Sequence, residues 1–388
     1  MVLIKEVSAK SIFDSRRERT IFVSIKTNVG DFSSSAPNGK SKGKHEARSY
    51  KKDLQGDIKT LKQFSTYFSE DEIEKFEDLR RIEDIVDRHV GANTLFALES
   101  AVLKALAKEK KKQVWELINP KISSSTGKFP RLLGNSVGGG KHSQGKKPDF
   151  QEFLLIPKTK SLKEAYEINK EKKKEVAYFL KKKDEKFEGK KNDEDAWQTS
   201  LNEKDVLDIL KNTGTQIGVD IAASGFHKRK KYNYQNPVLS RDSEEQLLYV
   251  SNLIKNFSLF YIEDPFEEED FSSFSKLLKK FPDSLIVGDD LTVTNMNRLK
   301  KAIEMKSINA IIVKPNQNGS LLEVKEICET AKKHDIKIAF SHRSGETMES
   351  IIADLAFGFQ ADFFKCGIIG KEREVKIKRL IEIEKNLR

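Results

Sequence analysis

The sequence predicts an α/β protein: a (β/α)8 barrel over residues 126–388, capped by an N-terminal α+β domain over residues 1–125. Three observations lead there. The first is a recurring unit in which an apolar strand run ends in one chemically useful residue: QIGVD at Asp220, LFYIED at Glu263, LIVGDD at Asp289, AIIVK at Lys314, IAFSHRS at His342 and DFFKC at Lys365. From Glu263 onward the steps are 26, 25, 28 and 23 residues, each long enough for one strand, one helix and two loops. A barrel of that kind sets every strand-end residue on one rim, facing one pocket. The second observation is length, because 388 residues exceed the roughly 250 of a single barrel. The third is the N-terminal alternation in TIFVSIKT, which places Ile21, Val23 and Ile25 on one face of a strand.

Taken in order, residues 1–36 read as a small antiparallel sheet, VLIKEVSAKSIF and TIFVSIKT, with a turn at Asn28 to Asp31. Pro37 to Ala47, PNGKSKGKHEA, follows as a cationic loop in which Gly39 and Gly43 permit close backbone approach to a ligand. Residues 55–119 have a helical pattern, clearest in Leu95, Leu98, Val102, Ala105 and Leu106. The stretch NPKISSSTGKFP has linker composition and marks the domain boundary. Beyond it, RLLGNSVGGGKHSQG and DFQEFLLIP give two short strands around a glycine-rich loop carrying His142 and Glu152. Lysines crowd Lys158 to Lys191, where Leu162, Ala165, Tyr166, Val176, Ala177 and Leu180 form a broken helical stripe. We read that segment as a helix with a solvated lysine face; it lacks the aromatic interleaving of a nucleic-acid surface, and no nucleic-acid partner is expected.

The composition narrows the class. The net charge of +11 favours an anionic partner such as a phosphorylated or carboxylated substrate. No apolar run approaches the ~20 residues needed to cross a bilayer, and the first residues lack a signal-peptide block, so a cytoplasmic protein without membrane contact is expected. Cys328 and Cys366 lack a metal or redox spacing and read as reduced thiols.

Asp220, Glu263 and Asp289 offer hard oxygen ligands from three successive strand ends, a set that suits Mg²⁺ and not zinc. Lys314 and Lys365 sit at later strand ends. Either they are desolvated lysines whose neutral form serves as a base, or they are structural cations paired with carboxylates; residue types alone leave both readings open. His342, Arg343 and Ser344 supply a forked cation and a hydroxyl for a phosphate.

These motifs resemble enolase, the magnesium-dependent phosphopyruvate hydratase family. The likeness covers nearly the whole chain: DSRRERT (Asp14 to Thr20), NGKSKGKHEA, GANTLFAL, GNSVGGGKH, QEF, GVDIAAS, YIEDPF, VGDDLTVTN, VKPNQNGS and SHRSGETMESIIADLAFG. The resemblance implies dehydration of 2-phosphoglycerate to phosphoenolpyruvate in glycolysis and gluconeogenesis. It makes Asp220, Glu263 and Asp289 ligands of a first Mg²⁺, with Ser41 reaching a second that arrives with substrate. Lys314 would take the proton alpha to the carboxylate, and Lys365 would hold the resulting charge. Glu194, with Glu152 near it, would protonate the departing hydroxyl. Arg343 and Ser344 would bind phosphate, while His142 and His342 line the pocket. A homodimer or higher homo-oligomer is also expected.

The departures from the family pattern lie in the loops. A GDEGG flap is usual, and here the same place reads NDEDAW, Asn192 to Trp197. Glu194 is retained, but Asp195 replaces a glycine and adds negative charge close to an anionic substrate. The usual Ser-Thr-Gly of the first loop is Ser41-Lys42-Gly43, and DSRGNPT has become DSRRERT. Lys40, Lys42 and Lys44 could pair with Asp193 and Asp195 when the loops close. The competing readings are an enolase-like paralogue acting on another carboxylate and a binding protein without catalysis.

Overall fold

The computed structural model describes residues 1–40, 43–70, 72–86, 88–123 and 126–387, without the side chains of residues 69 and 70. Four N-terminal strands, β1 (Val2–Phe13), β2 (Arg19–Thr27), β3 (Gly30–Ser35) and β4 (Glu72–Ile73), form an antiparallel sheet in the order β3-β2-β1-β4. Their alternation buries Val2, Ile4, Ile21, Val23 and Ile25 on one face. The helix Ala92–Lys110 covers that face. Its start is fixed by a buried carboxylate: Asp57 accepts from the Gly91 N–H at 2.8 Å and from the Thr94 hydroxyl at 2.6 Å, satisfying groups that a helix N-terminus leaves orphaned. Gly91 is required there, since a Cβ would lie 2.3 Å from the backbone of Tyr50.

Eight further strands close into a barrel: β5 (Arg131–Gly138), β6 (Glu152–Ile156), β7 (Gln216–Asp220), β11 (Tyr261–Glu263), β12 (Leu285–Gly288), β13 (Ala310–Val313), β14 (Lys337–Ser341) and β15 (Phe363–Lys365). Between β7 and β11 the chain makes a small antiparallel sheet from β8 (His227–Lys228), β9 (Lys231–Gln235) and β10 (Val238–Arg241). The predicted fold class, a closed α/β barrel with an N-terminal antiparallel sheet, is what the chain adopts. Within it, β6 runs antiparallel to both β5 and β7, whereas every other neighbouring pair is parallel. Antiparallel neighbours need no crossover helix, and the glycine-rich loop after β5 turns the chain straight back, with Gly140 at φ +48°.

The barrel interior is filled by Leu133, Leu154, Ile156, Tyr261, Val287, Ile312, Ala339 and Phe363, and a second apolar layer lies between the strands and the surrounding helices. A packed interior leaves chemistry to the rim. The N-terminal unit docks through the helix Val114–Ile118 on the helix Ile351–Gly358, where Trp115 and Phe357 meet edge to face at 5.1 Å. The lysine-rich segment is the helix Leu162–Lys183, with Leu162, Ala165, Tyr166, Val176 and Leu180 buried as its stripe requires. One lysine, Lys173, is buried with them at 0% exposure, which a uniformly solvated face did not anticipate. Among the described residues no helix is long and apolar enough to cross a membrane.

Candidate active site

The strand register brings the predicted residues together. Glu263 pairs with Asp220, and Asp220 with Glu152 on its other side, so three carboxylates from neighbouring strands share one rim. Glu152 reaches it from the first position of β6, because that strand is reversed. Asp289, Lys314 and His342 each follow directly on the last residue of β12, β13 and β14, and Lys365 is the last residue of β15. Strain gathers on the same rim. Asp264, Val293 and Thr294 all have left-handed φ, 42°, 43° and 51°, and for a β-branched residue that conformation is an outlier held by its surroundings.

Lys365 lies among the acids. Its Nζ is 3.0 Å from Asp220 Oδ2, 2.8 Å from both oxygens of Glu263 and 3.4 Å from Glu152. Burial opposes its charge, but Asp220, Glu152 and Glu263 outweigh burial and raise its pKa well above the ordinary lysine value. Burial, with Asp220 next, pushes Glu263 up to about 8. Lys314 forms an ion pair with Asp289. Burial would lower the Lys314 ammonium, yet the charge of Asp289 keeps it above its usual value. Both lysines are therefore carboxylate-paired, and the neutral base expected at Lys314 requires that Asp289 first be given another cation.

The residues fit a divalent ion. Asp220 Oδ1 and Asp289 Oδ1 are buried with no hydrogen-bond partner among the described residues, an expensive condition for polar oxygens. Asp289 also lies within 4.8 Å of Asp264 and Asp290. Asp264 accepts from the backbone N–H groups of Asp289 and Asp290, the former at 3.0 Å, and so fixes the turn that presents Asp289. Ser41, the expected ligand of a second ion, lies outside the described residues.

Beside Glu152 stands Glu194, 2% exposed. Its Oε2 accepts from Asn135 Nδ2 at 3.1 Å, and its Oε1 is 3.2 Å from His142 Nδ1. His342 Nε2 is 3.8 Å from Oε2. Burial would raise the Glu194 pKa, but the charges of His142 and His342 pull it well below the usual carboxylate range. Glu152 goes the other way: burial raises it, and Lys365 does not offset burial together with the charges of Glu194, Asp220 and Glu263. Of these two acids, Glu152 is the one biased towards its protonated form. Burial pushes His342 well below its usual value, against the opposing pull of Glu194.

Arg343 and Ser344 arrive already engaged. The guanidinium grips Glu46 at 2.9 and 3.0 Å, a pair both of whose side chains are 3% exposed. The Ser344 hydroxyl accepts from Arg16 Nη1 at 2.9 Å and from the Lys40 N–H at 2.8 Å. Gly39 must lack a side chain, since a Cβ would fall 1.8 Å from Arg343 Nη2.

The flap is closed over the site. Asn192 Oδ1 accepts from the N–H groups of Glu194 and Ala196 at 3.0 and 2.9 Å, and Asp195 takes φ +60°. Arg373 Nη2 holds the Asp193 carbonyl at 3.2 Å, while Lys40 Nζ meets Asp193 Oδ2 at 3.0 Å. The pairing expected between the lysine loop and the flap is thus made by Lys40 and Asp193. Lys44 instead reaches Glu267 and Glu268, and Lys42 lies outside the described residues. Asp195 turns away from the cavity towards Lys191, 3.9 Å distant, and Gly370, so the expected extra charge beside a substrate is not where the flap puts it.

One cavity is walled by His142, Glu152, Glu194, Asp220, Lys314, His342, Arg343, Ser344 and Lys365. Its free volume is about 20 Å³, room for about one water. Sequence reasoning gave no role to Asn135, Gln151, Asp264, Glu46 or Arg373. Asn135 sits at a bulge in β5, and Gln151, whose Nε2 donates to Asp220 Oδ2 at 3.2 Å, lies just outside a strand.

With that geometry in view, residues 128–388 match the family model described as enolase, C-terminal TIM barrel domain. The chain belongs to the enolase family. The enolase of Pyrobaculum aerophilum is 34% identical, with 98% of this chain and 96% of that protein covered. The enolase of Sulfurisphaera tokodaii is 37% identical over 98% and 95%, and that of Methanosphaera stadtmanae 34% identical over 99% and 97%. The likeness to these enolases is full-length and takes in both the sheet and the barrel.

Proposed function

We propose that the protein dehydrates 2-phosphoglycerate to phosphoenolpyruvate with Mg²⁺ as cofactor. The observation that carries this reading is that one cavity is lined by both Lys314, a cation paired with Asp289, and Glu194, an acid beside Glu152. Elimination needs such a pair: a base to take the alpha proton and an acid for the leaving hydroxyl. Asp220, Glu263 and Asp289 would hold the first ion, with Ser41 contributing to a second, and bound Mg²⁺ would stabilise the negative charge that develops on the carboxylate. Lys314 takes the proton alpha to the carboxylate, and its access to the neutral form depends on relief from Asp289. Lys365 is a fixed cation facing the same charge. Glu152, biased by burial towards its protonated form, lies within 4.8 Å of Glu194, and through that pair a proton passes to the departing hydroxyl. His342 and His142 orient Glu194 and exclude water.

Enolase-like chemistry on another carboxylate is favoured by one feature, the Arg343 fork already filled by Glu46. One assay decides between them: purified protein with 2-phosphoglycerate and Mg²⁺, following enol absorbance and deuterium wash-in at the alpha carbon. Turnover is expected. Bound Mg²⁺ with neither exchange nor turnover would sink the proposal and leave the second reading.

A further inference from the structure

Lys173 stands on the inner face of the helix Leu162–Lys183, in line with Leu162, Ala165, Val176 and Leu180. An apolar residue belongs at such a position. Its Nζ donates to the carbonyl oxygen of Asp195 and lies 5.7 Å from the centre of the Trp197 ring. The lysine's own carbonyl accepts from Trp197 Nε1 at 2.9 Å. Residue 173 and the flap are therefore joined from both sides. The carbonyl it holds belongs to the residue directly after Glu194, at the point where the flap turns through a left-handed φ. A carbonyl that would otherwise be buried without a partner thus receives a charge-assisted hydrogen bond, and the price is a cation removed from water.

Resting on the proposed reaction, we propose that Lys173 is a positioning residue. From beneath the flap its ammonium fixes the Asp195 peptide and so keeps the Glu194 carboxylate between His142 and Asn135. The contact is sensitive to pH. Burial pushes the Lys173 ammonium down to about 7; the Asp195 carboxylate opposes that shift, and Lys191 and Arg373 add to it. Loss of the proton near neutral pH weakens the bond to the carbonyl and loosens the flap, while the Asn192 and Arg373 contacts remain.

The test uses the full chain with Lys173→Met, which fills the same space without charge, and Lys173→Gln, which keeps an N–H donor that does not titrate. Trp197 fluorescence, read in a Trp115→Phe background, should titrate with a midpoint near 7 in the parent and stay flat across that range in both variants. With 2-phosphoglycerate and Mg²⁺, Lys173→Met should lower kcat at least about tenfold, leave KM within about twofold and spare alpha-proton exchange. Lys173→Gln should recover most of kcat and lack the parent's alkaline decline. A fluorescence titration that persists in Lys173→Met overturns the proposal, as does equal loss of exchange and dehydration. The fluorescence arm needs no turnover, so it decides the role of Lys173 even if the proposed reaction fails.

Discussion

Lys314 and Glu194 serve opposite ends of one elimination, and their substitutions should separate in a way that mere damage to the site would not. Lys314→Ala should abolish deuterium wash-in at the alpha carbon of 2-phosphoglycerate. Glu194→Gln should largely spare wash-in while lowering dehydration by about 10²–10⁴-fold. NMR of the substrate in D₂O distinguishes the two, and equal loss of exchange would remove Glu194 from the acid side. Glu99 makes a different kind of prediction. It is fully buried in the helix Ala92–Lys110, where one oxygen accepts from the Leu321 N–H at 2.6 Å. Burial, and the charge of Glu83 next to it, raise its pKa well above the usual value. The folded state then binds this proton more tightly than the unfolded chain, so the contribution is full below the unfolded pKa of about 4.3 and is lost as pH rises through the folded pKa. Glu99→Gln should flatten that decline and raise the melting temperature at pH 7 relative to the parent; melts that fall with pH just as steeply in the variant would assign the slope elsewhere. Legibility in the sequence divides along the same line. Asp220, Glu263, Asp289, Lys314, His342 and Lys365 could be placed because each strand delivers its last residue, or the one just after it, to one rim. Lys173 and Glu99 could not, because a charged residue within a helical stretch gives no sign of what will be folded over it.

At the scale of the element, the flap shows how local spelling and local geometry come apart. NDEDAW reads as a charged replacement for a flexible lid, and its Asp195 suggested repulsion of an anionic substrate. The turn at φ +60° swings that side chain away from the cavity, and the carboxylate meets Lys191 instead. Asp195→Gly should therefore change the KM for 2-phosphoglycerate by less than about twofold, since a carboxylate turned from the cavity towards Lys191 has its charge partly offset there. It should also stabilise the fold by up to about 1 kcal/mol through relief of the left-handed conformation, partly offset by the greater freedom of glycine in the unfolded chain. Steady-state kinetics with a denaturant titration checks both, and a marked fall in KM would show that the charge does reach the substrate. The hairpin of β5 and β6 was legible as two strands around glycines, but not as a reversed strand inside a barrel. Strand direction depends on which neighbour each edge finds, and that is decided far away in sequence.

For the whole molecule, the rim acids tie stability to ion binding. An ion taken up by the native state alone adds RT ln(1 + [L]/Kd), about 2.7 kcal/mol at a hundredfold excess over Kd. Mg²⁺ should accordingly raise the melting temperature above that in chelator, and Asp289→Asn should shrink the shift; an undiminished shift would remove Asp289 from the ligand set. Closure of the barrel has a consequence of another kind, in time. β5 finds one neighbour at once, in the β6 hairpin, but the other edge is sealed by β15, Phe363 pairing with Arg131 across most of the barrel's sequence. Pairings so distant are slow to form, and until then β5 and β15 are open edges able to recruit another chain. Lys365, which gathers the acids, is carried by the strand that makes this last seam. Refolding should thus recover secondary structure well before any ability to bind the ion, and its yield should fall with protein concentration during that interval.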